Sequence, residues 1–196
     1  VAIADIQRHD ERRPARCRVG TEGRFMQFRI LAIACVVCLL SVVVLVADKW
    51  VQYRSEGGKF TALFPGTPKE RADPPGESSV ISHEFVVDLA GATYVVSFDD
   101  FAPKSFAGRD PQRILDQARN NLVLGQPVKV LVDKRIALEN HPGREIVFAD
   151  DGGYTQMYRI YLVRDRLYQT ITGGPQGSEK SADAVRFHNS FKILGP

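Results

Sequence analysis

Between Ile30 and Ala47 the chain carries no charge, and Ser41 is its only polar side chain. At 1.5 Å of rise per residue an α-helix over this run is about 27 Å long, close to the apolar thickness of a bilayer. Many of its residues are β-branched, among them Ile30, Ile33, Val36, Val37 and Val42 to Val44. In water that bias favours a strand. In lipid only a helix satisfies every backbone group within one segment, and strands are rarely this long. The run therefore predicts one N-terminal transmembrane helix, with the bilayer as its partner.

The flanks set its direction. Seven arginines precede the run, from Arg8 to Arg29, against Asp5, Asp10, Glu11 and Glu22. The positive-inside rule keeps this end in the cytoplasm and sends residues 48–196 outward. Two readings of the run stay open. As a permanent anchor it gives a single-pass membrane protein. As a cleaved signal it gives a secreted or periplasmic one, with Met26-Gln27-Phe28-Arg29 as the basic start and residues before Met26 as an over-extended reading frame. The run exceeds a usual signal core, and Leu45-Val46-Ala47 is a poor cleavage site, which favours the anchor. Cys35 lacks the context of a lipoprotein cysteine.

Charge divides at the same place. Residues 1–47 carry the whole excess of positive charge, and residues 48–196 are balanced. A neutral outer domain lacks the clustered positive field that nucleic acid requires, so no nucleic-acid partner is expected. Cys17, Cys35 and Cys38 are the only cysteines. The outer part has none, so it must be held by core burial rather than disulfides.

The domain reading is a basic tail over 1–29, the apolar segment over 30–47, a juxtamembrane linker over 48–58 and an extracytoplasmic domain over 59–196. Trp50 and Tyr53 suit the headgroup region. Lys59 to Phe64 reads as a first strand, followed by a polar loop from Lys69 to Glu77. Phe85, Val87 and Leu89, then Tyr94, Val96 and Phe98, alternate as the two arms of a hairpin around Ala90-Gly91. Asp110, Pro111 and Gly125 bracket a helix whose apolar stripe is Ile114, Leu115, Ala118 and Leu122. Strands follow over 128–138, 144–149, 154–163 and 167–172, with 139–143 and 164–166 as links. Ser178 or Ser181 caps a last helix with Ala184, Phe187 and Phe191 inward, and 191–194 adds a terminal strand. The order implies an α+β fold, an antiparallel sheet flanked by two helices.

Three stretches carry a resemblance. They are Phe60-x-x-x-Phe64-Pro65-Gly66-x-Pro68, His141-Pro142-Gly143-Arg144-Glu145, and Arg159-x-Tyr161-Leu162-Val163-x-x-Arg166-Leu167-Tyr168-Gln169. Over roughly residues 50–195 the chain resembles a poorly characterised bacterial extracytoplasmic domain family whose layout is similar to the PsbP-like fold. PsbP is an extrinsic subunit of the photosynthetic water-oxidising complex and docks on membrane proteins. The resemblance implies a non-enzymatic accessory at a membrane, with a membrane protein as partner; it assigns no functional residue.

The residues themselves point to no catalytic, cofactor or metal site. His83, His141 and His188 lack companions at ligand spacing and read as surface or turn residues; His83-Glu84 opens like a zinc-protease motif, but Val87 stands where the second His belongs. Neither Asp99-Asp100 nor Asp150-Asp151 has the spaced acids of a calcium loop, and Asp150-Asp151 beside Gly152-Gly153 reads as turn chemistry. Gly174 to Ser181 approaches a phosphate loop but puts Glu179 in place of a required Gly. In His141-Pro142-Gly143-Arg144-Glu145, Gly143 is expected to supply an unusual backbone conformation, and Arg144 either pairs with an acid across the sheet or binds a partner. Tyr154, Tyr158 and Tyr161 complete the candidate binding surface, although the opposite parity of Tyr158 and Tyr161 sends them to opposite faces. The leading functional reading is an extracytoplasmic interaction or accessory module without enzymatic activity. The alternatives are a small-ligand-binding domain and an enzyme with an unrecognised site.

Overall fold

The computed structural model describes residues 50–72 and 80–195. The apolar run over 30–47, the tail before it and Pro74-Pro75-Gly76 lie outside the described residues. Among the described residues no helix is long and apolar enough to cross a membrane.

Among the described residues ten strands and two helices appear in the order β1 (Val51–Ser55), β2 (Phe60–Phe64), β3 (Lys69–Ala72), β4 (Ile81–Leu89), β5 (Ala92–Asp100), α1 (Pro111–Val123), β6 (Val128–Leu138), β7 (His141–Asp150), β8 (Tyr154–Val163), β9 (Arg166–Pro175), α2 (Ala182–Ser190) and β10 (Lys192–Ile193). They form a seven-stranded sheet, β3-β4-β5-β9-β8-β7-β6, and a three-stranded one, β1-β2-β10, with every pairing antiparallel. The fold is α+β, as expected, with the small second sheet added.

Period-two alternation places two apolar sets on opposite faces of the large sheet. On β8, Tyr161 joins one cluster while Ile160 and Leu162 join the other. The first cluster is aromatic. Phe60 and Phe64 of β2, Phe85 of β4, Phe98 of β5 and Phe187 of α2 are all buried in it. Each such phenylalanine contributes about 2–3 kcal/mol of burial. The second cluster lies under α1, where Ile114 and Leu115 meet Ile146, Phe148 and Ile160. Asp110 caps α1 by accepting from Gln112 N at 2.9 Å, and Gly125 follows the helix at φ 71°, in the left-handed region that glycine tolerates.

Several expectations need correction. The stretch read as a linker contains β1, whose Tyr53 packs on Phe60, Phe64 and Phe85, while Trp50 stands edge-on to Tyr94. The polar loop begins instead as strand β3, paired with β4. The link read over 139–143 shrinks to Glu139-Asn140, since Leu138 already pairs with His141. Pro142 is tolerated inside β7 because pairing with β8 starts only at Gly143. Leu89 is exposed at the hairpin tip. Ser181, not Ser178, caps α2.

Candidate functional site: a cleft between hairpin ends

Two hairpins turn at one end of the large sheet. Glu139-Asn140 joins β6 to β7, and Arg164-Asp165 joins β8 to β9. In each, the first turn residue has positive φ, 53° at Glu139 and 55° at Arg164, and the second does not. That is the pattern of a type II′ turn, whose first position ordinarily goes to glycine. Lys59, ahead of β2, stands at φ 52°, and Lys104 in the loop after β5 at 68°. Among the described residues these four are the non-glycines in the left-handed region. Such a conformation costs about 1–2 kcal/mol for a residue with a Cβ, and costs of this kind gather at functional sites. Lys59, Glu139 and Arg164 all line one cleft of about 580 Å³.

The walls of the cleft are fixed by their own charges. Arg166 Nε and Nη2 donate to the two carboxylate oxygens of Asp100 at 2.5 and 2.7 Å. Its Nη1 reaches Gly58 O at 3.0 Å, Tyr168 OH donates to the same carbonyl at 2.7 Å, and the guanidinium lies 4.3 Å from the Phe98 ring centroid. Burial disfavours the charged form of Arg166, but hydrogen bonds to Asp100 and Tyr168 outweigh it and hold its pKa above the usual value. Asp165 accepts from Lys104 N at 2.8 Å and Phe106 N at 3.1 Å, which fastens the loop after β5. Lys59 O accepts from Leu194 N at 2.8 Å, which fastens the chain after β10. Asp100, Arg166 and Asp165 are thus engaged internally. Among the described residues Arg164 and Glu139 form no side-chain hydrogen bond or ion pair, while Lys59 has Glu56 as an electrostatic neighbour. The floor is apolar, with Phe101, Val163, Ile193 and Leu194.

The residues singled out from sequence lie elsewhere and do not form one surface. Arg144 donates to Asp133 at 2.5 Å and also bonds Asp116, and Asp133 accepts from Arg119 at 2.9 Å. Hydrogen bonding from Arg144 holds the Asp133 carboxyl below its usual pKa, and the same bond raises that of Arg144. Arg144 therefore has the acid across the sheet that was expected, and ties β6 to α1. Gly143 is required for a different reason from the one expected. Its φ is not in the left-handed region; a Cβ there would sit 2.6 Å from Ile160 O and from the Tyr161 ring. Glu145 is buried between Lys134 at 2.7 Å and Arg159 at 2.8 Å. Gly143, Arg144 and Glu145 are thus engaged within the domain, and His141 reaches the cleft.

Tyr161 is buried and stacks on Phe191. Tyr158 stacks on Phe148, on the opposite face as parity required, and burial raises its pKa. Tyr154 and Tyr158 do come together, lining a second cleft of about 360 Å³ with Phe148, Leu122 and Asp150. The phosphate-loop likeness is filled by the protein itself, because Glu179 accepts from Gly177 N at 2.9 Å.

The histidines are dispersed. His83 stacks on Phe98, and His141 lies at the cleft. His188 corrects the surface reading: it is buried under α2, with Thr170 Oγ1 2.7 Å from Nδ1 and Thr172 Oγ1 3.0 Å from Nε2. Burial, helped by Arg159, lowers its pKa to about 3. Among the described residues no group of three His, Cys, Asp or Glu could hold a metal ion.

The cleft was missed because the links were read too long. Pairing the strands down to two-residue turns would have exposed Glu139 and Arg164 in positions where glycine is usual.

No protein-family model matches this sequence, and no curated protein matches it. Solved structures do. The solution structure of cyanobacterial PsbP from Synechocystis sp. PCC 6803 aligns with a TM-score of 0.52 at 9% identity, over 79% of this chain and 98% of that one. A protein of unknown function from Pseudomonas aeruginosa gives 0.41 at 12% identity, over 69% and 90% of the two chains. A crystal structure from Bacteroides thetaiotaomicron gives 0.42 at 15%, over 74% and 48%. The first of these likenesses, one of fold alone, makes the architecture PsbP-like.

Proposed function

We propose that this protein is a membrane-anchored extracytoplasmic accessory module that acts by binding, and that the hairpin-end cleft is its recognition surface. One observation carries the proposal: three non-glycine residues held in left-handed conformations, Lys59, Glu139 and Arg164, converge on one cleft. Turn residues chosen for stability alone would be glycine at these φ values. The resemblance to PsbP-like domains and the apolar run behind an arginine-rich tail support placing the module outside a membrane.

Position supports the same reading. Trp50, where the described chain begins, packs on Tyr94 near one end of β5, and the cleft begins at Asp100 at the other end. Six residue-to-residue steps along the strand separate them, about 20 Å. Trp50 therefore lies at the end of the domain opposite the cleft. Co-purification of the full-length protein from its native membrane in mild detergent tests this. A specific, saturable partner lost on charge reversal at both Lys59 and Arg164 is expected. Turnover of a substrate by the purified protein would overturn it.

A second reading, a small-ligand-binding domain, is favoured by the size and apolar floor of the same cleft, which falls within the range of ligand sites.

A further inference from the structure

We infer that the end of the domain bearing Trp50 and the β4–β5 turn rests on the surface of a lipid bilayer. This rests on the membrane-anchored reading above and adds which part of the domain meets the lipid.

Chain length carries the inference. The expected linker over 48–58 would have slack enough to hold the domain clear of a membrane. That slack is missing, because β1 begins at Val51 and Trp50 is already packed into the domain. Its ring stands edge-on to Tyr94 at 6.0 Å between centroids, and the Arg186 guanidinium lies 4.4 Å from its centroid. In the sequence only Asp48 and Lys49 separate this fixed ring from Ala47, the last residue of the apolar run. Three steps of extended chain reach at most about 11 Å. The headgroup layer on each side of the hydrocarbon is itself about 5–7 Å thick. A run that crosses the hydrocarbon therefore keeps Trp50 within or beside the headgroups, where amphipathic rings collect. Whatever is packed with Trp50 comes there too.

The neighbours suit that place. Val87 pairs with Tyr94, and Leu89 lies two residues further along the same face of β4, at the hairpin tip. Phe85 and Val87 of that stripe are buried, whereas Leu89 is 47% exposed. The tip, Leu89-Ala90-Gly91-Ala92, carries no charge, so it enters an interface without stripping water from an ion. The turns at the opposite end, Glu139-Asn140 and Arg164-Asp165, hold three charges in four residues. Asp150-Asp151 of the β7–β8 turn lies three strand spacings from β4, about 14 Å. The domain therefore leans on its β4–β5 side, which keeps those acids in water.

Trp50 is the only tryptophan, so fluorescence quenching reads one position at a time. The full-length protein is placed in phosphatidylcholine nanodiscs with and without bromine on the acyl chains. Two further proteins combine Trp50→Phe with Leu89→Trp or with Ile81→Trp. Ile81 begins β4 on the same face as Leu89 and is 42% exposed. Eight residue steps separate the two, about 27 Å, so Ile81 stands clear of the headgroups. Bromine should quench the natural protein and the Leu89→Trp protein at least about threefold more than the Ile81→Trp protein. Ala90→Trp, at the same tip, repeats the reading if Leu89→Trp lowers the unfolding temperature. Quenching of the natural protein with none for Leu89→Trp or Ala90→Trp overturns the docking and leaves the anchor standing. Equal quenching at the two ends of β4 overturns the docking as well. No quenching at any position overturns the anchored reading together with it.

Discussion

At the residue scale the informative positions are those where the side chain and its surroundings conflict unless a particular neighbour is present. Gly143 is one. The alternation of β7 gives no hint of it, because the demand comes from the Tyr161 ring and the Ile160 carbonyl on the next strand. Gly143→Ala should lower stability by about 2–3 kcal/mol, since backbone cannot retreat as a flexible side chain would; a shift in urea midpoint without a change in slope checks it. His188 is another. Its pKa falls to about 3 in the folded protein, so between there and its ordinary 6.5 the unfolded chain binds a proton that the folded one refuses. Stability is therefore fully present above pH 6.5 and declines as pH falls, by up to about 1.4 kcal/mol per pH unit. Urea unfolding at pH 7 and pH 5 should show that decline in the natural protein and a smaller one in His188→Gln. Unlike Gly143, His188 was legible. Ala184, Phe187, His188 and Phe191 fall at i, i+3, i+4 and i+7, so the inward stripe of α2 already included it.

At the element scale, what could be read was what announces itself locally. The arms of the β4–β5 hairpin, the caps of α1 and the long strands β6 and β8 follow from alternation, Asp110, Pro111 and Gly125. What could not be read depends on a distant partner. Val51-Gln52-Tyr53-Arg54-Ser55 has one inward aromatic and polar neighbours, and becomes a strand only because β2 supplies its ladder. β3, with Lys69-Glu70-Arg71-Ala72, is an edge strand of the same kind. The candidate site failed to show for this reason too, since turn length depends on register, and register on pairing. Arg166 joins elements that the sequence leaves separate, holding the β1–β2 loop against β5. Arg166→Ala leaves Asp100 without its partner and Gly58 O without one of its donors, and should cost about 2–3 kcal/mol, below the figure for a fully buried pair because these groups are partly solvated. Hydrogen exchange should show the loss concentrated in residues 56–64, whereas Arg166→Lys should restore only part of the protection.

At the scale of the whole molecule, the domain has two distinct ends. One end bears Trp50, and the other bears Glu139 and Arg164 at the cleft. Removing residues 1–47 should therefore release the domain from the membrane fraction and leave its unfolding temperature unchanged, as cell fractionation and a thermal melt would record. A drop in melting temperature would mean that the excised segment packs on the domain. The aromatic cluster between the sheets fills the interior, so recognition falls to a surface cleft rather than an enclosed cavity.

Site-specific photo-cross-linking in the native membrane decides whether recognition occurs at the hairpin-end cleft. A photoreactive residue would replace Arg164 at the cleft, Tyr154 at the second cleft or Val185 on α2, the last two being 37% and 44% exposed. One saturable adduct is expected from position 164, and none of comparable yield from positions 154 or 185. An adduct formed from 154 or 185 but not from 164 would contradict it.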